Sequence, residues 1–476
     1  MASLSAYRAV CTALATVMLG ACASTYQPEN VAISDIDETA GYRWGPEHQE
    51  AVTEDTLLIL AFSGGGTRAA ALSYGVMQEL RDTTFESGSA SRRLLDEVDV
   101  ISSVSGGSFT AAYYGVYREQ LFETFEEDFL RRDVQSSLIK RLLSPKQWYQ
   151  SMQGRDRTEM AIDYYDETTF KGATFDDIAR NGRPYIQINA TDLTTGQRFT
   201  FNQAQFDLLC TDLGSFPVSR AVTASSAVPV AFPTVVLKNH ADHCDVTGTE
   251  EWKMLSERTA ETEAQDMLID SLKSYRNAGE RPYVHLVDGG IADNLGLHAL
   301  IDRVEAAGDT LFSTLTERQV KSVLIVLVNA EVQSAGLIDK TAEKPGVAAT
   351  IDAVSSAQIN RYNQETLDKL DRDIDVLRSR ISAANLDTKV YFSHVNFENV
   401  PFEDTNDFLN SMPTSLELED EDIDRLILAG RLILRHESEY QRFSADRGAQ
   451  RSVSGMSDEE LCKTFNPDGC IRLEQR

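Results

Sequence analysis

Residues 98–107 read VDVISSVSGG, a strand candidate that ends at a serine followed by two glycines. This segment has the composition of a short buried strand, and the helix-like stretch Ser108–Tyr117 follows it. The pattern therefore predicts a strand that turns tightly into a helix, with Ser105 on the turn. Glycines permit such a strained turn, and a helix N-terminus favours negative charge near the hydroxyl. Ser105 is a candidate nucleophile, although Ser103 stands where the usual G-x-S-x-G pattern has glycine, and an ordinary turn is the alternative.

A second strand-to-helix turn lies upstream, at Gly64-Gly65-Gly66. It joins the apolar run Leu57–Phe62 to the helical pattern Thr67–Arg81, so several backbone N–H groups can converge on one anionic oxygen. Such a loop can bind a phosphate, form an oxyanion hole or be a plain turn. A P-loop would need a lysine after the glycines, and the sequence places Thr67 and Arg68 there. Arg68 is expected to hold the loop in place or to meet a phosphate group.

A third turn follows the strand pattern Val284–Val287 and reads Asp288-Gly289-Gly290. A carboxylate at a strand end, with glycines that allow close approach, can accept the proton of a serine hydroxyl within hydrogen-bond reach. The alternative is that Asp288 only caps or shapes the turn.

The other strand candidates alternate with helical patterns. This alternation indicates an α/β fold with a largely parallel central sheet. The further strands are predicted at Tyr185–Ala190, Tyr283–Val287, Val323–Val328 and Val390–Ser393, and the longest helices at Asp352–Ile381 and Asp420–Tyr440.

The three turns, in this order, resemble the motifs of the patatin-like phospholipase family. Two more stretches resemble that family: Ala190-Thr191-Asp192-Leu193 with Gly196, and the segment 224–229, which reads ASSAVP. The resemblance covers about residues 57–300. It implies a three-layer α/β/α sandwich and a serine acyl hydrolase that cleaves phospholipid or related esters through an acyl-enzyme intermediate.

The resemblance also implies a role for each matched residue. Ser105 would be the nucleophile and Asp288 the base of a Ser–Asp dyad, and Gly64, Gly65 and Gly66 would form the oxyanion hole. Arg68, Gly107, Gly289 and Gly290 would support these groups. The dyad needs neither a metal nor another cofactor.

Three other interpretations remain open at this point. A Ser-His-Asp triad would need a histidine downstream of Asp288, and the candidates are His298, His394 and His436. An acyltransferase or thioesterase could use the same dyad. A non-catalytic lipid-binding or assembly lipoprotein could retain the fold, although Ser105, Asp288 and the glycines are all present.

The N-terminus has the pattern of a bacterial lipoprotein signal. Residues 1–21 carry Arg8 and then a short apolar run, and Leu19-Gly20-Ala21-Cys22 resembles a lipobox. We expect Cys22 to be lipidated, and Ala23 favours the outer membrane with the protein facing the periplasm. An ordinary signal peptide cut nearby is the alternative. Residues 22–55 are polar and acidic and are predicted to be a tether.

Charge and cysteine content restrict the possible partners. The 476-residue chain has a formal net charge of −29, which argues against a nucleic-acid partner. After loss of the signal peptide and lipidation of Cys22, four of the six cysteines remain, and an oxidising compartment favours two disulfides. Four cysteines allow three pairings, of which the closeness of Cys462 and Cys470 in the sequence favours Cys462–Cys470 with Cys210–Cys244. A metal site at His240, His243 and Cys244 lacks an evident fourth ligand, so no metal is predicted.

The catalytic domain is predicted at residues 56–445, followed by a tail at 446–476. Residues 131–158 and 245–280 are possible cap or lid insertions. The first insertion holds seven basic and two acidic residues among apolar and aromatic ones, which suits either an anionic membrane surface or a cap helix packed on the core. The oligomeric state and the preferred lipid headgroup have no sequence signal.

Overall fold

The protein is described by a computed structural model that covers residues 28–44, 55–87, 90–142, 144, 155–229, 231–258, 260, 262–301, 320–332, 342–400, 403–452 and 455–465. Its strands are β1 Thr56–Phe62, β2 Thr83–Ser87, β3 Ala90–Arg93, β4 Val98–Val104, β5 Tyr185–Asp192, β6 Arg198–Thr200, β7 Val235–Lys238, β8 Tyr283–Val287, β9 Ser322–Val328, β10 Lys389–Val395 and β11 Gln450–Arg451.

The helices cover both faces of the large sheet. They are α1 Thr67–Asp82, α2 Gly106–Tyr117, α3 Leu121–Phe125, α4 Val134–Leu142, α5 Arg157–Tyr165, α6 Phe175–Asn181, α7 Gln203–Leu208, α8 Val218–Ser225, α9 Glu250–Glu257, α10 Glu263–Ser274, α11 Gly290–Asp293, α12 Val347–Ala383, α13 Glu403–Ser411, α14 Asp420–His436, α15 Ser438–Arg447 and α16 Asp458–Phe465. Short 3₁₀ or π turns lie at Leu94–Glu97, Arg118–Gln120, Glu126–Leu130, Asp166–Phe170 and Phe397–Asn399.

The large sheet is mostly parallel, as the sequence predicts. Its order is β10-β9-β1-β4-β5-β8-β7, with β6 beside β5. The ladders from β10 to β5 are all parallel, whereas β6, β8 and β7 pair in antiparallel fashion. Parallel strands end at one common edge, so Ser105 and the glycine loop, which follow the adjacent strands β4 and β1, meet there.

Side-chain alternation on the central strands produces the three layers. On β1, Leu58, Leu60 and Phe62 pack into the core beneath α1, α2 and α14. The intervening Ala61 faces the opposite side, where Leu370 and Ile374 of α12 pack. Burying each such aliphatic or aromatic side chain contributes roughly 1.5–3 kcal/mol, so the sheet is stabilised from both faces.

Residues 28–44 correct the prediction of a polar tether over residues 22–55, because this part of the chain packs on the domain. Tyr42 is 1% exposed, and its ring stacks on Tyr185 with centroids 4.8 Å apart. Arg43 pairs with Asp207 at 2.5 Å, and Ala32 forms a β-bridge with Thr211. We call residues 28–44 the belt. Its contacts are isolated side-chain and backbone bonds to elements distant in the sequence, so they leave no periodic pattern in the sequence.

The two suspected insertions contain helices attached to the domain. In the first, Val134 and Leu138 of α4 are buried, as expected for a packed cap helix, and Ile139 is 51% exposed. In the second, α9 and α10 precede Tyr275, which is buried against the sheet.

Several sequence predictions fall outside the described residues, including the signal peptide, Cys22 and the pairing of Cys462 with Cys470. No helix in the described part of the chain has both the length and the apolar character needed to cross a bilayer.

Candidate active site

Ser105 lies on a strained turn between β4 and α2. Its backbone φ is 49° and ψ is −121°, a conformation that serine rarely adopts. The next residue must be glycine, because a Cβ at Gly106 would lie 2.0 Å from the Gly66 carbonyl oxygen. Gly107 donates its N–H to the Ser63 carbonyl at 3.2 Å. The serine turn therefore packs directly against the glycine loop, as expected of a nucleophile placed beside an oxyanion hole.

Asp288 is the hydrogen-bond partner of the Ser105 hydroxyl. Ser105 Oγ donates to Asp288 Oδ2 at 2.9 Å, and the Gly290 N–H donates to the other oxygen, Oδ1, at 2.8 Å. Both side chains are buried, with Ser105 7% and Asp288 8% exposed. Burial raises the pKa of the Asp288 carboxyl to about 6, against the opposing effect of the Gly290 and Ser105 hydrogen bonds. The carboxylate is therefore placed and tuned to accept a proton near neutral pH.

The glycine loop keeps two of its three N–H groups available. The Gly64 N–H donates to the Asn294 carbonyl at 3.0 Å, so the expectation that all three glycines would bind an oxyanion is revised for Gly64. Within the described ranges, the N–H groups of Gly65 and Gly66 have no acceptor. Gly66 has a φ of 62°, and a Cβ there would lie 2.3 Å from the Ser415 carbonyl oxygen.

Arg68 fastens the glycine loop to the scaffold. The side chain is 2% exposed, Nε donates to the Ala330 carbonyl at 2.9 Å, and Nη1 donates to the Met412 carbonyl at 2.7 Å. Burial lowers the pKa of the guanidinium to about 10, an effect partly opposed by the nearby Glu331 carboxylate. Of the two roles expected for Arg68, holding the loop is the one these contacts support.

The sequence profile described as "Patatin-like phospholipase" matches residues 60–301, which is just over half of the chain and includes Ser105, Asp288 and the glycine loop. The chain belongs to the patatin-like phospholipase family. This confirms the resemblance identified from the motifs.

The patatin-like chain is also similar to a solved structure described as human GIVD cytosolic phospholipase A2. The identity is 10% and the TM-score is 0.34, over 59% of this chain and 49% of that one. The chain thus spans about half the length of that structure. A comparison with curated proteins finds no match.

Ser225 is a residue of the patatin-like site whose role the sequence did not predict. It ends α8, and its Oγ accepts the Ser105 backbone N–H at 2.8 Å while donating to the Asn189 carbonyl at 2.6 Å. Ser108 Oγ lies 3.0 Å from the same oxygen. Its position in the ASSAVP segment was the available signal, but only the tertiary structure places that segment behind the nucleophile.

The two glycines after Asp288 help to fix the position of its carboxylate. The Gly289 N–H donates to the Ser225 carbonyl at 2.9 Å, and Gly290 bonds Asp288 itself. The Asp288 N–H donates to the Ala227 carbonyl at 3.0 Å, and Thr191 Oγ1 donates to the Asp288 carbonyl at 2.8 Å. The strand end is thereby held from β5 and from the segment after α8.

The three histidines considered for a triad have other surroundings. His298 Nε2 lies 2.9 Å from Thr366 Oγ1, and its ring stacks on Tyr362. His394 bonds Asn396, and burial lowers the pKa of its imidazole to about 4. Burial also lowers the pKa of His436, which ends α14. Among the described residues, the side-chain partner of Ser105 Oγ is Asp288, so the geometry favours a dyad over a triad.

The cysteine chemistry also bears on the metal alternative. Cys210 and Cys244 are joined in a disulfide, so Cys244 offers no thiolate beside His240 and His243. No group of three or more potential metal ligands occurs in the part of the chain that the structure covers.

Proposed function

We propose that this chain is a serine acyl hydrolase that cleaves ester bonds of phospholipids or related lipids. The observation that carries the proposal is the 2.9 Å hydrogen bond from Ser105 Oγ to the buried carboxylate of Asp288. Membership of the patatin-like phospholipase family supports lipid esters as the substrate class.

In the acylation step, Asp288 Oδ2 takes the hydroxyl proton while Ser105 Oγ attacks the ester carbonyl carbon. Negative charge moves to the carbonyl oxygen, where the N–H groups of Gly65 and Gly66 are placed to stabilise it. The tetrahedral intermediate collapses, the carbon–oxygen bond to the leaving alcohol breaks, and Asp288 returns the proton to that alcohol. The fatty acyl group remains on Ser105.

In the deacylation step, Asp288 removes a proton from a water molecule that attacks the acyl carbonyl. The same glycine N–H groups stabilise the second oxyanion. Collapse breaks the bond to Ser105 Oγ, which recovers its proton from Asp288 and releases the fatty acid. The Ser105–Asp288 pair is therefore sufficient for every proton transfer.

Fatty-acid release from phospholipid vesicles tests the proposal with three variants. We expect Ser105→Ala and Asp288→Asn each to reduce release by at least about 10³-fold, because each removes half of the proton-transfer pair. Ser103→Ala is the matched control, since Ser103 Oγ donates only to the Gln187 carbonyl, at 2.9 Å, and should retain activity. Labelling by a fluorophosphonate probe should require Ser105. Normal release by Ser105→Ala or Asp288→Asn would refute the dyad.

We propose further that Cys22 carries the lipid anchor of an envelope protein that faces the periplasm from the outer membrane. The lipobox-like residues 19–22 support this, and the Cys210–Cys244 disulfide is consistent with an oxidising compartment. Metabolic labelling with a fatty acid should mark the wild-type chain and not Cys22→Ser. Equal labelling of both chains would remove the proposal.

A further inference from the structure

The antiparallel extension of the sheet exposes apolar side chains on its outer side. Register pairs β8 with β7 and with the end of β5, so Leu193, Val236, Lys238, Tyr283 and His285 share one face. We call these five residues the outer strand face. Leu193 is 54% exposed and Tyr283 44% exposed, whereas the solvent side of an antiparallel sheet is ordinarily polar.

The outer strand face leads directly to the catalytic base. Asp288 follows β8, and five residues of extended chain from Tyr283 span about 17 Å. Ile291, three residues beyond Asp288, is a further exposed apolar side chain, at 40%. A surface in contact with this face therefore lies close to the dyad.

The N-terminal part of the described chain lies beside the same strands. Asn30 of the belt bonds both backbone groups of Lys238: its Oδ1 accepts the Lys238 N–H and its Nδ2 donates to the Lys238 carbonyl, each at 2.8 Å. The eight residues from Cys22 to Asn30 span at most about 28 Å. An anchor at Cys22 would therefore hold Asn30 within that distance of the bilayer, and Lys238 lies next to Asn30.

Charge argues for an apolar rather than an electrostatic contact. The net charge of −29 repels an anionic bilayer. Of the basic side chains in the alternative segment 131–158, Arg131 pairs with Asp424 at 2.5 Å and Arg141 with Glu167 at 2.6 Å. Those cations are already engaged within the protein.

From these observations we propose that the outer strand face is the surface through which the enzyme docks on its lipid bilayer. Leu193 and Tyr283 enter the interfacial region, and the dyad faces the lipid esters at the surface. The proposal rests on the proposed lipid hydrolase function and on lipidation of Cys22, and it names the docking surface of that site.

The test measures vesicle binding by residues 23–476, a chain that keeps every described residue and lacks the anchor. The vesicles contain phosphatidylethanolamine and phosphatidylglycerol. We expect Leu193→Asp/Tyr283→Asp to weaken binding at least tenfold, because two side chains lose favourable transfer into the interface. Val354→Asp/Val376→Asp, which adds the same charge at two exposed positions of α12 (56% and 57%), is the matched control and should bind as the wild type does. Added salt should leave wild-type binding unchanged or strengthen it, because salt screens the repulsion between the acidic protein and the anionic lipid.

Three results would overturn the docking proposal. One is unchanged vesicle binding by Leu193→Asp/Tyr283→Asp. Another is a loss of binding in Ile139→Asp alone, which would assign docking to segment 131–158. The third is a wild-type dimer that the double variant converts to monomer without any change in vesicle binding, which would make the face a contact between two copies.

Hydrolysis of p-nitrophenyl butyrate, a soluble ester, separates this proposal from the proposed function. All four proteins should hydrolyse that ester equally if the double variant affects docking alone. Wild-type protein that binds vesicles through Leu193 and Tyr283 but hydrolyses no ester would refute the hydrolase and leave the docking face standing. Loss of soluble-ester hydrolysis in the double variant alone would overturn the docking interpretation.

Discussion

At the scale of single residues, the proposed chemistry needs one carboxylate that is buried and still able to accept a proton. Asp288 has two hydrogen-bond donors, Ser105 Oγ and the Gly290 N–H, and no cation pairs with it among the residues described. Burial therefore dominates, and the pKa of its carboxyl rises from 3.8 to about 6. An ordinary aspartate would be a weaker base at neutral pH.

This raised pKa predicts the acid limb of the rate profile. The proposed dyad requires an ionised Asp288, so kcat/KM on a soluble ester should rise through about pH 6 and level off above it. At pH 5 it should be about tenfold below the plateau. The measurement is kcat/KM from pH 4.5 to pH 9, roughly the range that spans this pKa. An acid limb of kcat/KM near pH 4 would contradict the assignment of this limb to a buried Asp288.

The same burial should make Asp288 costly for stability. A carboxyl whose pKa is higher in the folded than in the unfolded chain stabilises the fold below its unfolded pKa of 3.8, and that contribution is lost as pH rises through about 6. Asp288→Asn should therefore raise the free energy of unfolding by about 3 kcal/mol at pH 8 while abolishing activity. Urea denaturation at pH 8 and pH 5 measures this, and a gain that does not shrink at pH 5 would contradict the cause.

At the scale of elements, helix α8 holds the backbone of Ser105 through a hydrogen bond to Ser225. Ser225 at its end is the acceptor for the Ser105 backbone N–H, which lies in a buried and strained turn. Removing the acceptor leaves that N–H unsatisfied, at a cost of about 1–3 kcal/mol. The strained backbone conformation of Ser105 should then be less populated.

We accordingly expect Ser225→Ala to lower kcat about tenfold with little change in KM, and to reduce stability by about 1–3 kcal/mol. Ser226→Ala is the matched control, since Ser226 Oγ donates to the Val222 carbonyl of α8 at 2.9 Å and, among the described residues, hydrogen-bonds neither Ser105 nor Asp288. Steady-state kinetics on the soluble ester compares the two. Equal kinetics in both variants would show that α8 does not position Ser105.

The central elements could be predicted from the sequence because their patterns are local. Strands β1 and β9 are almost entirely apolar, and the turns after β1, β4 and β8 carry glycines at positions where a Cβ would collide with a backbone oxygen. The helix predicted over Asp420–Tyr440 instead divides at Glu437, where α14 ends and α15 begins. The edge strand β7 and the β2–β3 hairpin are short and mixed in composition, so only pairing reveals them.

At the scale of the whole molecule, the belt connects the N-terminal chain to the sheet that carries the nucleophile. Tyr42 Oη accepts the Ile186 N–H at 2.6 Å and donates to the Ile186 carbonyl at 3.1 Å, on the part of β5 that β8 does not reach. Glu29 pairs with the buried Arg220 of α8 at 2.9 Å, on the helix that ends at Ser225. The belt thus pairs the backbone groups of Ile186 on β5, and it supports α8, the helix that contacts the Ser105 turn.

Tyr42→Phe isolates this contribution because it removes one oxygen and leaves the ring stacked on Tyr185. The Ile186 N–H and carbonyl would both lose their partner in a buried position, so the free energy of unfolding should fall by about 2–4 kcal/mol. Tyr283→Phe, which changes a tyrosine that is 44% exposed, should alter it by less than about 0.5 kcal/mol. Urea denaturation of the chain from residue 23 measures both. A loss below about 0.5 kcal/mol in Tyr42→Phe would mean that residues 28–44 only lie on the domain, and the anchor would then hold the catalytic sheet no more firmly than a free linker does.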